Sequence, residues 1–94
     1  MTFRREIAAL LERGWMSTRG LSVRVKLSEK EVALHLEHIR RSARAGGKSF
    51  AVDPWQCRRC GFVFQKRQRL TKPGRCPKCR QGSIAPARFR IFNP

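Results

Sequence analysis

Acidic residues are scarce in this chain of 94, and beyond Asp53 there are none. Residues 1–53 hold all six Asp and Glu beside eleven Lys and Arg, net +5, and residues 54–94 hold eleven Lys and Arg with no acid, net +11. An ordinary solvated surface mixes signs to limit self-repulsion, so a half of one sign predicts a polyanionic partner, nucleic acid before any other. No long apolar run accompanies the charge, which argues against a membrane as that partner. No apolar h-region follows the charged start MTFRREIAALLERG, so no secretory signal is read and a cytoplasmic location is expected. Paired carboxylates, a Gly-rich phosphate loop and a nucleophile elbow are also missing, and an enzyme is therefore not expected.

Cysteine is confined to four positions, in two Cys-x-x-Cys knuckles, Cys57/Cys60 and Cys76/Cys79, with fifteen residues between them. A two-residue spacer lets a tight turn aim both sulfurs at one metal, and the intervening arm can fold back to complete a tetrahedron. Gly61 follows the first knuckle, where a positive φ is expected. The second knuckle has Pro77 inside it, Arg80 after it and glycine only at Gly82, so a less regular turn is expected there. The expected cofactor is one structural Zn²⁺, held by four protein ligands with no open position. A thioredoxin-like redox pair would need a single knuckle in a βαβ setting, and two disulfides would need an oxidising compartment. A rubredoxin-type iron site uses the same ligand set, and Cys-x-x-Cys-Gly followed by Cys-Pro-x-Cys resembles it. Against iron stand the short arm, the lack of any Tyr and a surface rich in Arg and Lys. With every thiol engaged by metal, no cysteine nucleophile remains.

Hydrophobic periodicity divides the rest. Phe3, Ile7, Leu10 and Leu11 recur at helical spacing, predicting a helix over 2–13 that Gly14 ends. That face could fill a core or pair two copies, so a homodimer stays open. Ser17 is an N-cap for a short helix through Leu21, Val23 and Val25, despite Gly20. Ser28 with Glu31 is a capping box, and Val32, Leu36, Ile39 and Ala43 share one face of the longer helix that follows. Short helix, turn and capped helix form a helix-turn-helix pattern. Gly46-Gly47 is a hairpin signal and 49–52 a strand, as a winged helix requires. Asp53-Pro54 marks a boundary between units 1–53 and 54–94. In the second unit, short strands are expected at 55–57, 61–64, 69–71 and 88–92, with Phe89 and Ile91 packing and Arg88 and Arg90 facing out. The fold class is α+β: a three-helix winged helix-turn-helix followed by a small all-β zinc ribbon.

The run Trp55-Gln-Cys-Arg-Arg-Cys-Gly-Phe-Val-Phe, then Lys72-Pro-Gly-Arg-Cys-Pro-Lys-Cys, with Ile84 and Pro86, resembles a family of small prokaryotic predicted transcriptional regulators. In that family a helix-turn-helix domain is fused to a C-terminal zinc ribbon. Ser28-Glu-Lys-Glu-Val-Ala-Leu-His-Leu-Glu-His-Ile is similar to its recognition-helix segment and, more distantly, to arsenical-repressor-like winged helices. The resemblance implies zinc at Cys57, Cys60, Cys76 and Cys79 and duplex DNA binding through the helix that starts at Ser28.

Outward residues of that helix would include Lys30, Leu34, Glu37, His38 and Arg41. Arg40, Arg41, Arg44 and Lys48 crowd its end and the wing, where they could grip phosphate while Lys30 or His38 meets a base. Glu29, Glu31 and Glu37 put half of the acids on this same helix, at a cost beside phosphates. His35 and His38 could share a metal, but nothing completes a set; His35 is expected to flank the core and His38 to be exposed. Trp15, Trp55, Phe50, Phe62 and Phe64 read as packing residues. The arm Gln65-Lys66-Arg67-Gln68-Arg69, with Lys72 and Arg75, could track a groove or dock on RNA or RNA polymerase. The alternative function is thus an RNA- or ribosome-associated ribbon protein that binds through its basic half.

Overall fold

A computed structural model describes residues 3–65 and 69–93. Three helices come first: α1 (Phe3–Arg13), α2 (Thr18–Val25) and α3 (Glu29–Ala45). Four short strands follow: β1 (Ser49–Asp53), β2 (Gln56–Cys57), β3 (Ile84–Ala85) and β4 (Arg88–Phe92). The chain is α+β, with the helices first and antiparallel strands around the cysteines after them. Among the described residues no helix is long and apolar enough to cross a membrane.

Local chemistry sets the helix ends. The Ser17 hydroxyl accepts from Gly20 N–H and caps α2. At the other end Lys26 takes the left-handed conformation (φ 61°), its N–H returns to Ser22 O, and the Ser22 hydroxyl donates to Leu27 O. That closes the turn into α3 within three residues. Ser28 and Glu31 form the full capping box, and the N–H and hydroxyl that Ser28 donates hold the Glu31 carboxyl below its ordinary value.

The glycine pair behaves differently from expectation. Gly47 (φ 78°) donates to Arg44 O and Lys48 donates to Ala43 O, which is a Schellman stop on α3 and not a hairpin turn. Released from a hairpin, β1 pairs instead with β4 across the expected 53/54 boundary, antiparallel, with Ser49 opposite Phe92 and Asp53 opposite Arg88. On its other edge β4 meets Met16, through Met16 N–H to Phe89 O at 3.0 Å and Phe89 N–H to Met16 O at 2.8 Å. Every residue between β1 and β4, the knuckles included, is therefore an excursion from one small sheet that packs on the helices.

One core runs through both halves. Ile7, Leu11, Leu21, Val25, Val32, Leu36 and Ile39 fill the space between helices, and Phe50, Phe89 and Ile91 close it from the sheet. Phe89 is fully buried, 6.0 Å from the Phe50 ring and 6.0 Å from the Trp55 ring. Trp55, Leu70, Ile84 and Ala87 continue the same cluster to Cys57 and Cys76. Ile7 is thus spent on the core, and of the apolar α1 face only Phe3 stays exposed, with Leu10 half-buried.

In the ribbon, β2 pairs with β3 and is bridged on its other side by Val63. No strand forms at 69–71. Arg69 and Thr71 are exposed there, and Leu70 is a single buried plug followed by buried Pro73. Trp15 also departs from expectation: it is 39% exposed and stands edge-on to the exposed Phe92 ring at 6.1 Å.

Candidate metal centre and basic surface

The two knuckles are copies of one another. In the first, Gly61 N–H donates to Cys57 O (3.0 Å) and Cys57 N–H donates to Phe62 O (2.8 Å). In the second, Arg80 N–H donates to Cys76 O (2.8 Å) and Cys76 N–H donates to Gln81 O (2.9 Å). Gly61 has the expected positive φ of 80°, and Arg80 adopts 61° at the equivalent place. The second turn is therefore regular after all. It carries the steric cost of a side chain in the left-handed region, roughly 1–2 kcal/mol.

These turns aim four sulfurs at one point. Cys57 Sγ lies 3.5 Å from Cys79 Sγ, and Cys60 Sγ lies 3.5 Å from Cys76 Sγ. All four lie within 4.8 Å of one another, without a disulfide. A tetrahedral Zn²⁺ with bonds of about 2.3 Å needs sulfurs about 3.8 Å apart, so the donor set fits the ion. Four thiolates leave no position for water or substrate, and zinc here supplies folding energy instead of chemistry. Among the described residues these cysteines are the one group of His, Cys, Asp and Glu side chains so placed. His35 is half-buried and His38 exposed, as expected.

The thiols differ before metal arrives. The Cys60 N–H directed at Cys57 Sγ brings the Cys57 thiol down to about 6. Burial opposes ionisation at Cys76, but N–H groups of Cys79 and Lys78 outweigh it and lower that thiol too. At Cys79 the Gln81 N–H favours the thiolate, yet burial and the neighbouring sulfurs push the thiol up to about 11. Cys60 follows the same pattern, with the Phe62 N–H overcome by burial and by Cys76 and Cys57. On each knuckle the first thiol is thus lowered and the second raised, and the raised thiols give up protons to the metal.

The basic residues named from sequence fall in two places. On α3, Lys30, His38, Arg41 and Arg44 are exposed, while half-buried Arg40 lies 4.0 Å from Glu37. Lys48 is tied to Glu12 at 2.8 Å, a restraint that sequence spacing could not show. Arg69, Lys72 and Arg75 are exposed on the ribbon, and Lys66 and Arg67 lie outside the described residues. Missed by sequence reading were Arg19, Arg24 and Arg58. They share a groove with Lys72 between α2 and the ribbon. The glutamates of α3 have local tasks: Glu29 accepts from the Thr18 hydroxyl, Glu31 completes the cap, and Glu37 faces Arg40.

Fold and site together define an α+β protein in which a three-helix unit is joined through a shared core to a zinc β-ribbon with a closed, structural metal site. Residues 2–51 match the family described as PF0610-like, N-terminal, and residues 54–93 match the PF0610 rubredoxin-like zinc beta-ribbon domain. The chain belongs to this PF0610-like family. The solution NMR structure of protein PF0610 from Pyrococcus furiosus is similar at 34% identity and a TM-score of 0.81, covering 98% of this chain and 90% of that one. No curated protein matches the chain.

Proposed function

We propose that this protein is a DNA-binding transcriptional regulator of the winged helix-turn-helix kind, in which α3 enters the major groove of duplex DNA. The observation that carries the reading is the outer stripe of α3. Lys30, Leu34, His38 and Arg41 stand on successive turns, all exposed, and Arg44 follows at the helix end. Leu34 is 60% exposed in the middle of this stripe. Against a major groove it would meet a thymine methyl, while the flanking cations reach base acceptors or phosphate. Local engagement of Glu29, Glu31 and Glu37 supports the same reading, because none is left as an unpartnered anion facing phosphate. In this reading β1 and β4 are the wing, and the ribbon is what the wing carries at its far end. The role is binding without catalysis: Glu12, Glu37 and Asp53 are held in ion pairs, Glu29 and Glu31 in local hydrogen bonds.

Arg41→Ala with Arg44→Ala tests this in the zinc-loaded protein. Both side chains are exposed, so helicity and zinc content are retained, and affinity for duplex DNA falls by about tenfold or more, with a weaker dependence on salt. Unchanged affinity would remove α3 from the interface. The acid-free charge of residues 54–94 favours a second reading, an RNA- or ribosome-associated protein. It takes precedence if the Arg41/Arg44 pair has no effect and structured RNA displaces duplex DNA.

A further inference from the structure

The groove between α2 and the ribbon has a volume of about 690 Å³, with Met16, Trp55 and Ile84 in its lining. Arg19 and Arg24 stand on the α2 side, Arg58 and Lys72 on the ribbon side, and one acid, Glu29, is present. Glu29 already accepts a hydrogen bond from Thr18. With six acids against 22 Lys and Arg, only some cations can be paired, as Lys48 is with Glu12 and Arg88 with Asp53. The four groove cations make no ion pair among the described residues.

Two exposed basic walls face each other over lining that includes buried Trp55 and Ile84, so their fields add in the groove. Arg19 lies in the first turn of α2, at the positive end of the helix dipole, where the carboxylate at hand, Glu29, is engaged by Thr18. A second hollow of about 230 Å³ shares Thr18, Glu29 and Lys72 with the groove and extends to Lys30 at the start of α3. The basic path is therefore continuous with the outer stripe of the helix.

We propose that this seam is a phosphodiester-backbone site: Arg19 and Arg24 from α2, with Arg58 and Lys72 from the ribbon, hold one strand of the duplex whose major groove α3 enters. The proposal rests on the regulator reading and deepens it, giving the ribbon a direct hold on the DNA. An extended chain of phosphates suits cations on both walls, whereas a small anion would reach only part of them.

The test uses zinc-loaded full chain and a duplex oligonucleotide, with affinity measured by fluorescence anisotropy over a salt series. Arg58→Ala with Lys72→Ala removes two phosphate contacts. It should lower the log–log salt slope by about 1.8 and the affinity by about tenfold, alike for target and scrambled duplexes. Arg19→Ala with Arg24→Ala, on the opposite wall, should do the same and stands in should the first pair fail to retain zinc. Arg4→Ala with Arg13→Ala on α1 removes equal charge away from the groove and should leave the slope unchanged. An unaltered slope in both groove pairs, or an equal fall in the α1 pair, overturns the proposal. If Arg41→Ala with Arg44→Ala still weakens binding in that case, the regulator reading survives alone; if no pair has an effect, both are lost.

Discussion

Replacing Phe89 with alanine should unfold both halves of this protein together. The side chain is fully buried, and truncating such a phenylalanine costs about 3–5 kcal/mol in transfer and cavity terms. Its ring also faces Phe50 and Trp55, each at 6.0 Å, and aromatic pairs contribute about 0.5–1.5 kcal/mol beyond their area. A loss near the upper end, about 5 kcal/mol, follows. In a domain of this size each kcal/mol lowers Tm by about 4–8 °C, so a fall of about 20 °C or more is expected. Phe50 precedes the ribbon and Trp55 lies within it, so the loss should be shared. Melting followed by helical circular dichroism and zinc release to a chromophoric chelator should shift by the same amount, in a single transition. Zinc release that moves alone, with helical melting at its original temperature, would refute the shared core.

Two further outcomes follow from the metal site. Zinc binding near pH 7 should release about two to three protons, since Cys57 at about 6 is already mainly thiolate while Cys60 and Cys79 are raised, Cys79 to about 11. Affinity should then fall as pH drops, steepening below about 6 as Cys57 also takes up a proton; calorimetry in buffers of differing ionisation heat reads the proton count, and release of less than one excludes a site that must lose the Cys60 and Cys79 protons. Arg80→Gly should stabilise the ribbon by about 1 kcal/mol by relieving a left-handed arginine, and Gly61→Ala should destabilise it by a similar amount, both read as shifts in chelator-induced zinc loss.

Features that depend on a few adjacent residues were legible in the sequence. Ser17 and Ser28 cap the expected helices, the α3 faces divide as the apolar spacing requires, and two knuckles of equal spacing converge on one point. Less legible was whatever depends on a distant partner or on context. A glycine pair serves equally as a hairpin turn or a helix stop, and only the α3 carbonyls freed at Ala43 and Arg44 decide the matter. The β1–β4 pairing joins residues 35 to 43 apart, beyond any local periodicity. At two residues, β3 is too short to alternate. Arg80 shows that hydrogen bonding to Cys76 O can impose a left-handed turn where composition promised none. Trp15 read as a packing residue, yet the main chain of its neighbour Met16 enters the sheet and leaves the indole outside.

The pairing of β1 with β4 also sets a timetable during synthesis. The helices and β1 are synthesised first, but the strand that covers them lies 35 residues later, and translation at about 5–20 residues per second puts roughly 2–7 s between the two. In that interval Phe50 and the helix faces beneath Ile91 and Phe89 stand open. Whether they close in time depends on the segment between, which must gather its thiolates around zinc to bring β4 home. A cell short of zinc should therefore lose the helical half along with the ribbon, as a nascent chain held too long with its apolar face uncovered.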